Sequence, residues 1–110
     1  MSRRILIVDD EDDIREFIGY NLRREGYTIY TASNGKEAVE VARTTQPHLI
    51  LLDMMMPIMD GRQACEAIRQ IPELSDTFIL FLSAVQEEQC QLESYLAGAD
   101  DYITKSVSMK

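Results

Sequence analysis

The chain has few of the features that mark disulfide-rich, secreted or membrane-spanning proteins. It contains two cysteines in 110 residues, Cys65 and Cys90, so a disulfide framework is excluded and free thiols in a reducing cytosol are expected. No apolar run approaches the ~18 residues of a membrane-spanning helix. The first apolar run has only four aliphatic residues, which is too short for a secretory signal. We therefore expect a cytoplasmic protein with no membrane association.

Positive charge is also scarce. The chain has 11 Lys and Arg residues against 19 Asp and Glu residues, which gives a formal net charge of −8. Because such a chain is repelled by phosphate backbones, we expect no direct nucleic-acid binding by this segment. Apolar residues make up 45% and charged residues 27%, as in ordinary globular proteins. The length suits a single domain over residues 1–110, since domains usually span ~100–150 residues.

Short apolar or β-branched runs alternate with segments of helical periodicity. Strands are predicted at Ile5–Val8, Tyr27–Ala32, His48–Leu52, Phe78–Leu82 and Tyr102–Thr104. Helices are predicted over 12–25, after a cap at Asn34, between a cap at Asp60 and a stop at Pro72, and over Glu87–Ala97. The order βαβαβαβαβ indicates an α/β fold with a parallel sheet, right-handed crossovers and helices on both faces.

Polar side chains follow four of the predicted strands. Asp9 and Asp10 follow the first strand and Asp53 follows the third. Ser83 follows the fourth strand and Lys105 follows the fifth. Because ligands of parallel sheets bind beyond the carboxyl ends of the strands, we expect these side chains to converge at one edge.

This set of groups suits phosphoryl transfer. Three carboxylates in one site repel each other, so either one is protonated or a cation neutralises them. Carboxylate oxygens suit Mg²⁺, and the Lys105 ammonium suits a phosphoryl oxygen. Asp53 is the candidate carboxylate nucleophile, whose attack on phosphorus gives an acyl phosphate. Phosphoryl transfer needs mainly positioning and charge neutralisation, and this set supplies both.

Four sequence motifs resemble those of the receiver domain of bacterial response regulators. They are Asp9 and Asp10 after an aliphatic strand, the stretch DMMMPIMDG at Asp53–Gly61, LSA at Leu82–Ala84, and GADDYITK at Gly98–Lys105. They come in the family's order, and the resemblance covers nearly the whole chain. The ADDY motif within the last stretch is similar to the subgroup whose receivers precede a winged-helix DNA-binding domain.

The resemblance implies a fold and a set of roles. The fold is a flavodoxin-like three-layer sandwich with a five-stranded parallel sheet of order 2-1-3-4-5. Asp53 would be the phosphoacceptor, Asp10 a direct Mg²⁺ ligand, and Asp9 a ligand acting beside it, often through water. The backbone carbonyl of Met55 would complete the metal ligands, and Lys105 would pair with the phosphoryl group.

The resemblance also implies a switch and partners. The Ser83 hydroxyl would move inward towards the phosphoryl group, and the Tyr102 side chain would rotate inward at the same time. The face around the fourth helix and fifth strand would then change its conformation and control a downstream, transcriptional output. A homodimer is one possible assembly of the chain. A sensor histidine kinase would supply the phosphoryl group. The chain would be a signalling phosphoacceptor and not an enzyme acting on other substrates.

The sequence departs from the family in two places. The family has a proline after the lysine, whereas Ser106 follows Lys105 here. A non-proline cis bond costs ~2.5–4 kcal/mol, so we expect a trans bond at that position. The sequence stops at Lys110, before the family's fifth helix. We therefore expect that helix to be largely missing, with any effector domain absent and an apolar strip exposed along one flank of the sheet, which another copy of the chain could cover.

Other functions remain open at this point. One is a receiver-fold interaction module that is not phosphorylated. Another is an Mg²⁺-dependent phosphohydrolase with an aspartyl nucleophile, although such enzymes usually have an acid where Met55 stands, two residues after the nucleophile. A dinucleotide or flavin binder is disfavoured, because no glycine-rich phosphate loop follows the first strand.

Overall fold

A computed structural model describes residues 3–54, 56, 58–83, 92–93 and 95–104. The strands are β1 (Arg4–Val8), β2 (Thr28–Ala32), β3 (Leu49–Asp53), β4 (Phe78–Ser83) and β5 (Asp101–Thr104). The helices are α1 (Asp12–Arg24), α2 (Gly35–Thr45) and α3 (Gly61–Arg69), and a 3₁₀ turn covers Pro72–Leu74. All the strands are parallel and form one sheet in the order β2-β1-β3-β4-β5. The flavodoxin-like fold and the strand order are confirmed.

The central strands are apolar on both faces because helices cover both sides of the sheet. Side chains alternate between faces along a strand. One set, with Leu6, Ile50 and Phe81, lies in the main core with α2 and α3. The alternate set, with Ile5 and Leu51, lies in a smaller core with Ile18 and Leu22 of α1.

Side-chain caps fix where α2 and α3 begin. The Asn34 carboxamide oxygen accepts a hydrogen bond from the backbone N–H of Glu37 at 2.8 Å, as the sequence predicted. At α3, Asp60 accepts from the backbone N–H of Gln63 at 2.9 Å, and the Gln63 side chain accepts from the backbone N–H of Asp60 at 3.1 Å. This reciprocal capping box fixes the start of α3 directly after the loop that follows Asp53.

The structure corrects several predicted boundaries. Helix α3 ends at Arg69, so Ile71, which was predicted on its apolar face, lies beyond it, and Pro72 begins the 3₁₀ turn. Proline favours that first position because its fixed φ is already helical and its missing N–H has no partner to lose. The carboxyl ends of β3 and β4 reach one residue beyond the predicted ends, to Asp53 and Ser83.

The predicted Glu87–Ala97 helix falls only partly on described residues. Residues 92–93 and 95–96 have helical backbone, and the N–H of Ala97 donates to the carbonyl of Glu93 at 3.0 Å. Gly98 follows with a φ of 108°, as a glycine that ends a helix does. The remainder of that prediction lies outside the described residues.

The face of the sheet that carries α1 is less covered near β4 and β5. Phe78 at the start of β4 is 46% exposed and Ile103 in β5 is 39% exposed, while Leu80 and Leu82 between them are half-buried. This is the flank where the sequence predicted an apolar strip. Residues 105–110, which follow β5, lie outside the described residues. Within the described part of the chain, no helix has the length and apolar character needed to span a bilayer.

Candidate functional site

The carboxyl ends of β1 and β3 bring three carboxylates together. Asp9, Asp10 and Asp53 each place one carboxylate oxygen within 4.8 Å of the other two. Asp9 is 1% exposed and Asp53 is 5% exposed, whereas Asp10 is exposed. The convergence predicted for these three residues is therefore confirmed. Oxygen donors at this spacing fit a hard divalent cation such as Mg²⁺.

Strand register explains why Asp9 and Asp53 lie side by side. Val8 of β1 is paired with Leu52 of β3, and an aspartate comes next along the chain in both cases, Asp9 directly after β1 and Asp53 as the last residue of β3. Because β1 and β3 run parallel to each other, the two aspartates lie at the same edge of the sheet. The side chains preceding them are fully buried, which fixes the two strand ends relative to each other.

Hydrogen bonds also fix the loop after β1. The backbone N–H of Asp9 donates to the carbonyl of Ala32 at 3.2 Å. One carboxylate oxygen of Asp9 accepts from the backbone N–H of Glu11 at 2.9 Å. The carbonyl of Asp9 accepts from the guanidinium of Arg15, which also pairs with the carboxylate of Asp12. The backbone that carries Asp9 and Asp10 is thus held from both neighbouring elements.

Backbone hydrogen bonds from two glycines, Gly61 and Gly35, hold the loop after Asp53. The N–H of Gly61 donates to the carbonyl of Met54 at 2.9 Å, and the N–H of Gly35 donates to the carbonyl of Met59 at 3.0 Å. A Cβ at Gly61 would lie 2.2 Å from the carbonyl oxygen of Asp53, and one at Gly35 would lie 2.3 Å from that of Met59. Only glycine permits these approaches, so the two glycines fix the loop that leaves Asp53.

The remaining predicted site residues are described only in part. Ser83 ends β4 at the same edge of the sheet, paired with Thr104, but its side chain lies outside the described part. Met55 and Lys105 lie outside the described residues, as does the bond between Lys105 and Ser106. Tyr102 is 8% exposed and packs in the main core, paired across the strands with Phe81. The roles predicted for these residues stay predictions.

Arg69 joins α3 to the segment before β5, a link that the sequence analysis missed. Its guanidinium donates to the carbonyls of Gly98 at 2.8 Å and Thr77 at 2.7 Å, and pairs with the Asp100 carboxylate at 2.7 Å. The same carboxylate accepts from the backbone N–H of Ile79 at 2.8 Å. These contacts fix the approach to β5. The partners of Arg69 are distant in sequence. The only feature of the sequence that pointed to Arg69 is that it is a basic residue in the last turn of α3.

Comparison with known proteins identifies the family. Residues 5–110 match the model of the response regulator receiver domain. The chain belongs to this receiver family.

Individual relatives agree with this assignment. The receiver is 44% identical over 108 residues to the alkaline phosphatase synthesis transcriptional regulatory protein PhoP of Bacillus subtilis. That match covers 98% of this receiver but 44% of PhoP, so the receiver spans less than half of that relative.

Solved structures of similar proteins share the fold. Vibrio cholerae chemotaxis protein CheY4 is 30% identical with a TM-score of 0.92, over 96% of this receiver and 88% of CheY4. CheY in the CheX-CheY-BeF3-Mg²⁺ complex of Borrelia burgdorferi is 28% identical with a TM-score of 0.85, over 93% of this receiver and 77% of that chain.

Proposed function

We propose that residues 1–110 form one receiver domain that accepts a phosphoryl group on Asp53. The observation that carries the proposal is the carboxylate cluster at the carboxyl edge of the sheet, in a chain of the receiver family. Of the three, Asp53 is the proposed nucleophile because it begins the family-like stretch DMMMPIMDG at Asp53–Gly61 in a chain of the receiver family. It is buried at a strand end, and its loop is fixed by Gly61 and Gly35.

We propose Mg²⁺ as the cofactor. Asp10, Asp53, Asp9 and the backbone carbonyl of Met55 would hold the ion, which matches its preference for oxygen ligands and retained water. Support comes from the three described carboxylates and from the Borrelia burgdorferi relative, whose complex contains BeF3 and Mg²⁺. When bound, the ion supplies neutralisation of the negative charge that the carboxylates and the phosphoryl oxygens share.

Transfer of the phosphoryl group to Asp53 needs no reactant besides the phosphohistidine. A carboxylate oxygen of Asp53 attacks the phosphorus of a phosphohistidine, the new O–P bond forms, and the N–P bond to the histidine ring breaks. The electron pair of that bond stays on the ring nitrogen. Lys105 would pair with one phosphoryl oxygen and the Ser83 hydroxyl would donate to another. Water later cleaves the acyl phosphate and regenerates Asp53.

The proposed output is a change in the face around the fourth helix and fifth strand. The Ser83 hydroxyl moves towards the phosphoryl group on Asp53. The Tyr102 side chain takes an inward orientation at the same time. A sensor histidine kinase is the proposed donor, the cytoplasm is the proposed location of this chain, and a homodimer through this face is the proposed active form. The output is transcriptional, by analogy with PhoP. No DNA contact by this acidic segment is proposed, and its chemistry is limited to its own phosphorylation and dephosphorylation.

Intact-mass measurement tests the proposal. The wild-type chain is incubated with acetyl phosphate and Mg²⁺, beside Asp53→Asn and the control Asp13→Asn, which makes the same chemical change at an exposed acid in α1. We expect one added phosphoryl group on wild type and on Asp13→Asn, and none on Asp53→Asn. Omission of Mg²⁺ should abolish the label. Equal labelling of Asp53→Asn and wild type would refute the assignment.

A further inference from the structure

The guanidinium of Arg15 spans the loop that carries two of the three site carboxylates. One nitrogen donates to the backbone carbonyl of Asp9, and another pairs with the carboxylate of Asp12. The backbone N–H of Arg15 donates to the carbonyl of Glu11 at 3.2 Å. Arg15 therefore contacts the loop on both sides of Asp10 without belonging to the carboxylate cluster itself.

The exposed ion pair does not by itself explain this arrangement. The Asp12 side chain is 78% exposed, and exposed pairs contribute little to stability. The Arg15 side chain is only 16% exposed, and its second bond reaches a partly buried carbonyl. A planar guanidinium can make both bonds at once, whereas a lysine ammonium presents a single point charge.

These contacts bear directly on the orientation of Asp9. Its carbonyl is held by Arg15, and one of its carboxylate oxygens is held by the N–H of Glu11 at 2.9 Å. The backbone is therefore held on both sides of Asp10, at the carbonyl of Asp9 and at the carbonyl of Glu11, which accepts from the N–H of Arg15. Groups that orient metal ligands in this way usually matter for affinity although they never touch the metal.

We propose that Arg15 is a positioning residue that pre-orients Asp9 and Asp10 for a divalent cation. This inference rests on the Mg²⁺ site of the proposed function. A positioning role and a purely electrostatic role for Arg15 predict opposite changes in Mg²⁺ affinity when Arg15 is replaced. A positive charge beside a cation site weakens cation binding, so loss of the charge alone would tighten Mg²⁺ binding. Loss of a positioning contact weakens it.

Titration with Mg²⁺ alone separates the two effects. The Kd is measured from amide chemical shifts for wild type, Arg15→Lys and Arg15→Gln. The control Arg24→Gln removes the same charge at the far end of α1, where the guanidinium lies 5.7 Å from the Tyr20 ring. We expect both Arg15 variants to raise the Kd about 10-fold, as loss of a group that supports metal ligands does. Arg24→Gln should change it less than about twofold, as expected for a distant, screened charge.

The outcomes distinguish this inference from the proposed function. An Arg15→Lys variant with the wild-type Kd, or an Arg15→Gln variant that binds more tightly than wild type, would overturn the inference and leave the Mg²⁺ site standing. A wild-type chain that binds no Mg²⁺ would overturn both.

A second measurement needs no metal. Hydrogen exchange at the Glu11 amide reports the bond to the Asp9 carboxylate in metal-free protein. We expect faster exchange in Arg15→Lys and in Asp12→Ala, which leaves Arg15 in place and removes one of its hydrogen-bond acceptors. Unchanged exchange in both variants, in chains that remain folded, would contradict the inference.

Discussion

Asp9 and Asp53 are buried carboxylates, a placement that costs free energy unless the charge has partners. Their positions at strand ends could be predicted from sequence, because an acid directly after an aliphatic run is easily recognised. Their burial could not, because it depends on how segments distant in sequence pack around them in the folded chain. The Asp9 carboxylate gains one bond from the N–H of Glu11, and the Asp53 backbone is tightly packed against Gly61.

Cys65 gives a pH-dependent prediction at the residue scale. This free thiol is fully buried in α3, and burial raises its pKa from the ordinary 9.0 to about 11. The nearby guanidinium of Arg69 opposes the rise, and the carboxylates of Asp100 and Glu66 add to it. The folded chain thus keeps a proton that the unfolded chain loses above pH 9. The thiol's contribution to stability is full below that pH and is lost as the pH rises towards about 11.

Urea unfolding of wild type and Cys65→Ala at pH values on both sides of 9 measures this effect. We expect the unfolding free energy of wild type to fall more steeply with pH than that of Cys65→Ala. Other groups titrate in this range, so the difference between the two proteins is the quantity of interest. Equal slopes would contradict the account. Cys90, the other predicted free thiol, lies outside the described residues.

At the scale of the elements, the close approach of α3 to β3 holds the loop after Asp53. Gly61→Ala would place a Cβ 2.2 Å from the carbonyl oxygen of Asp53. We expect a loss of about 1–3 kcal/mol in unfolding free energy, as for overpacked sites, together with weaker Mg²⁺ binding because Asp53 moves.

Gly19→Ala in α1 is the matched control. A Cβ there meets its nearest side-chain atom at 3.5 Å, which is ordinary contact. Alanine also favours a helix over glycine by about 1 kcal/mol. We expect Gly19→Ala to be neutral or stabilising in chemical denaturation, with unchanged Mg²⁺ binding. Gly61→Ala behaving like Gly19→Ala would show that this approach does not position Asp53.

Local signals in the sequence were enough to place each described strand and the caps at Asn34 and Asp60. The strand order was implied by the family resemblance and not by periodicity, which cannot tell which strands are neighbours. The end of α3 was misplaced because Pro72 can either stop a helix or start a 3₁₀ turn. The links made by Arg69 and Arg15 could not be predicted, because their hydrogen bonds to backbone carbonyls depend on the folded chain.

At the scale of the whole molecule, the net charge of −8 and the carboxylate cluster oppose compact folding in the absence of a cation. Asp53→Asn removes one of the clustered charges. We expect this variant to be more stable than wild type in metal-free buffer. Mg²⁺ at ten times its Kd should stabilise wild type by about 1.4 kcal/mol and stabilise the variant less.

Thermal or urea unfolding with and without Mg²⁺ measures this difference, with Asp13→Asn as the control for net charge. The control should respond to Mg²⁺ as wild type does. An equal Mg²⁺ response of Asp53→Asn and wild type would mean that Asp53 does not contribute to cation binding.

Chemical trapping of the phosphorylated residue tests directly whether Asp53 is the phosphoacceptor. The chain is treated with acetyl phosphate and Mg²⁺ and then reduced with borohydride, which converts an acyl phosphate at an aspartate into homoserine and releases phosphate. Peptide mass mapping then locates the homoserine. We expect homoserine at position 53 alone, and only when Mg²⁺ is present. Homoserine at another acid, or none at position 53 in folded, Mg²⁺-bound protein, would contradict it.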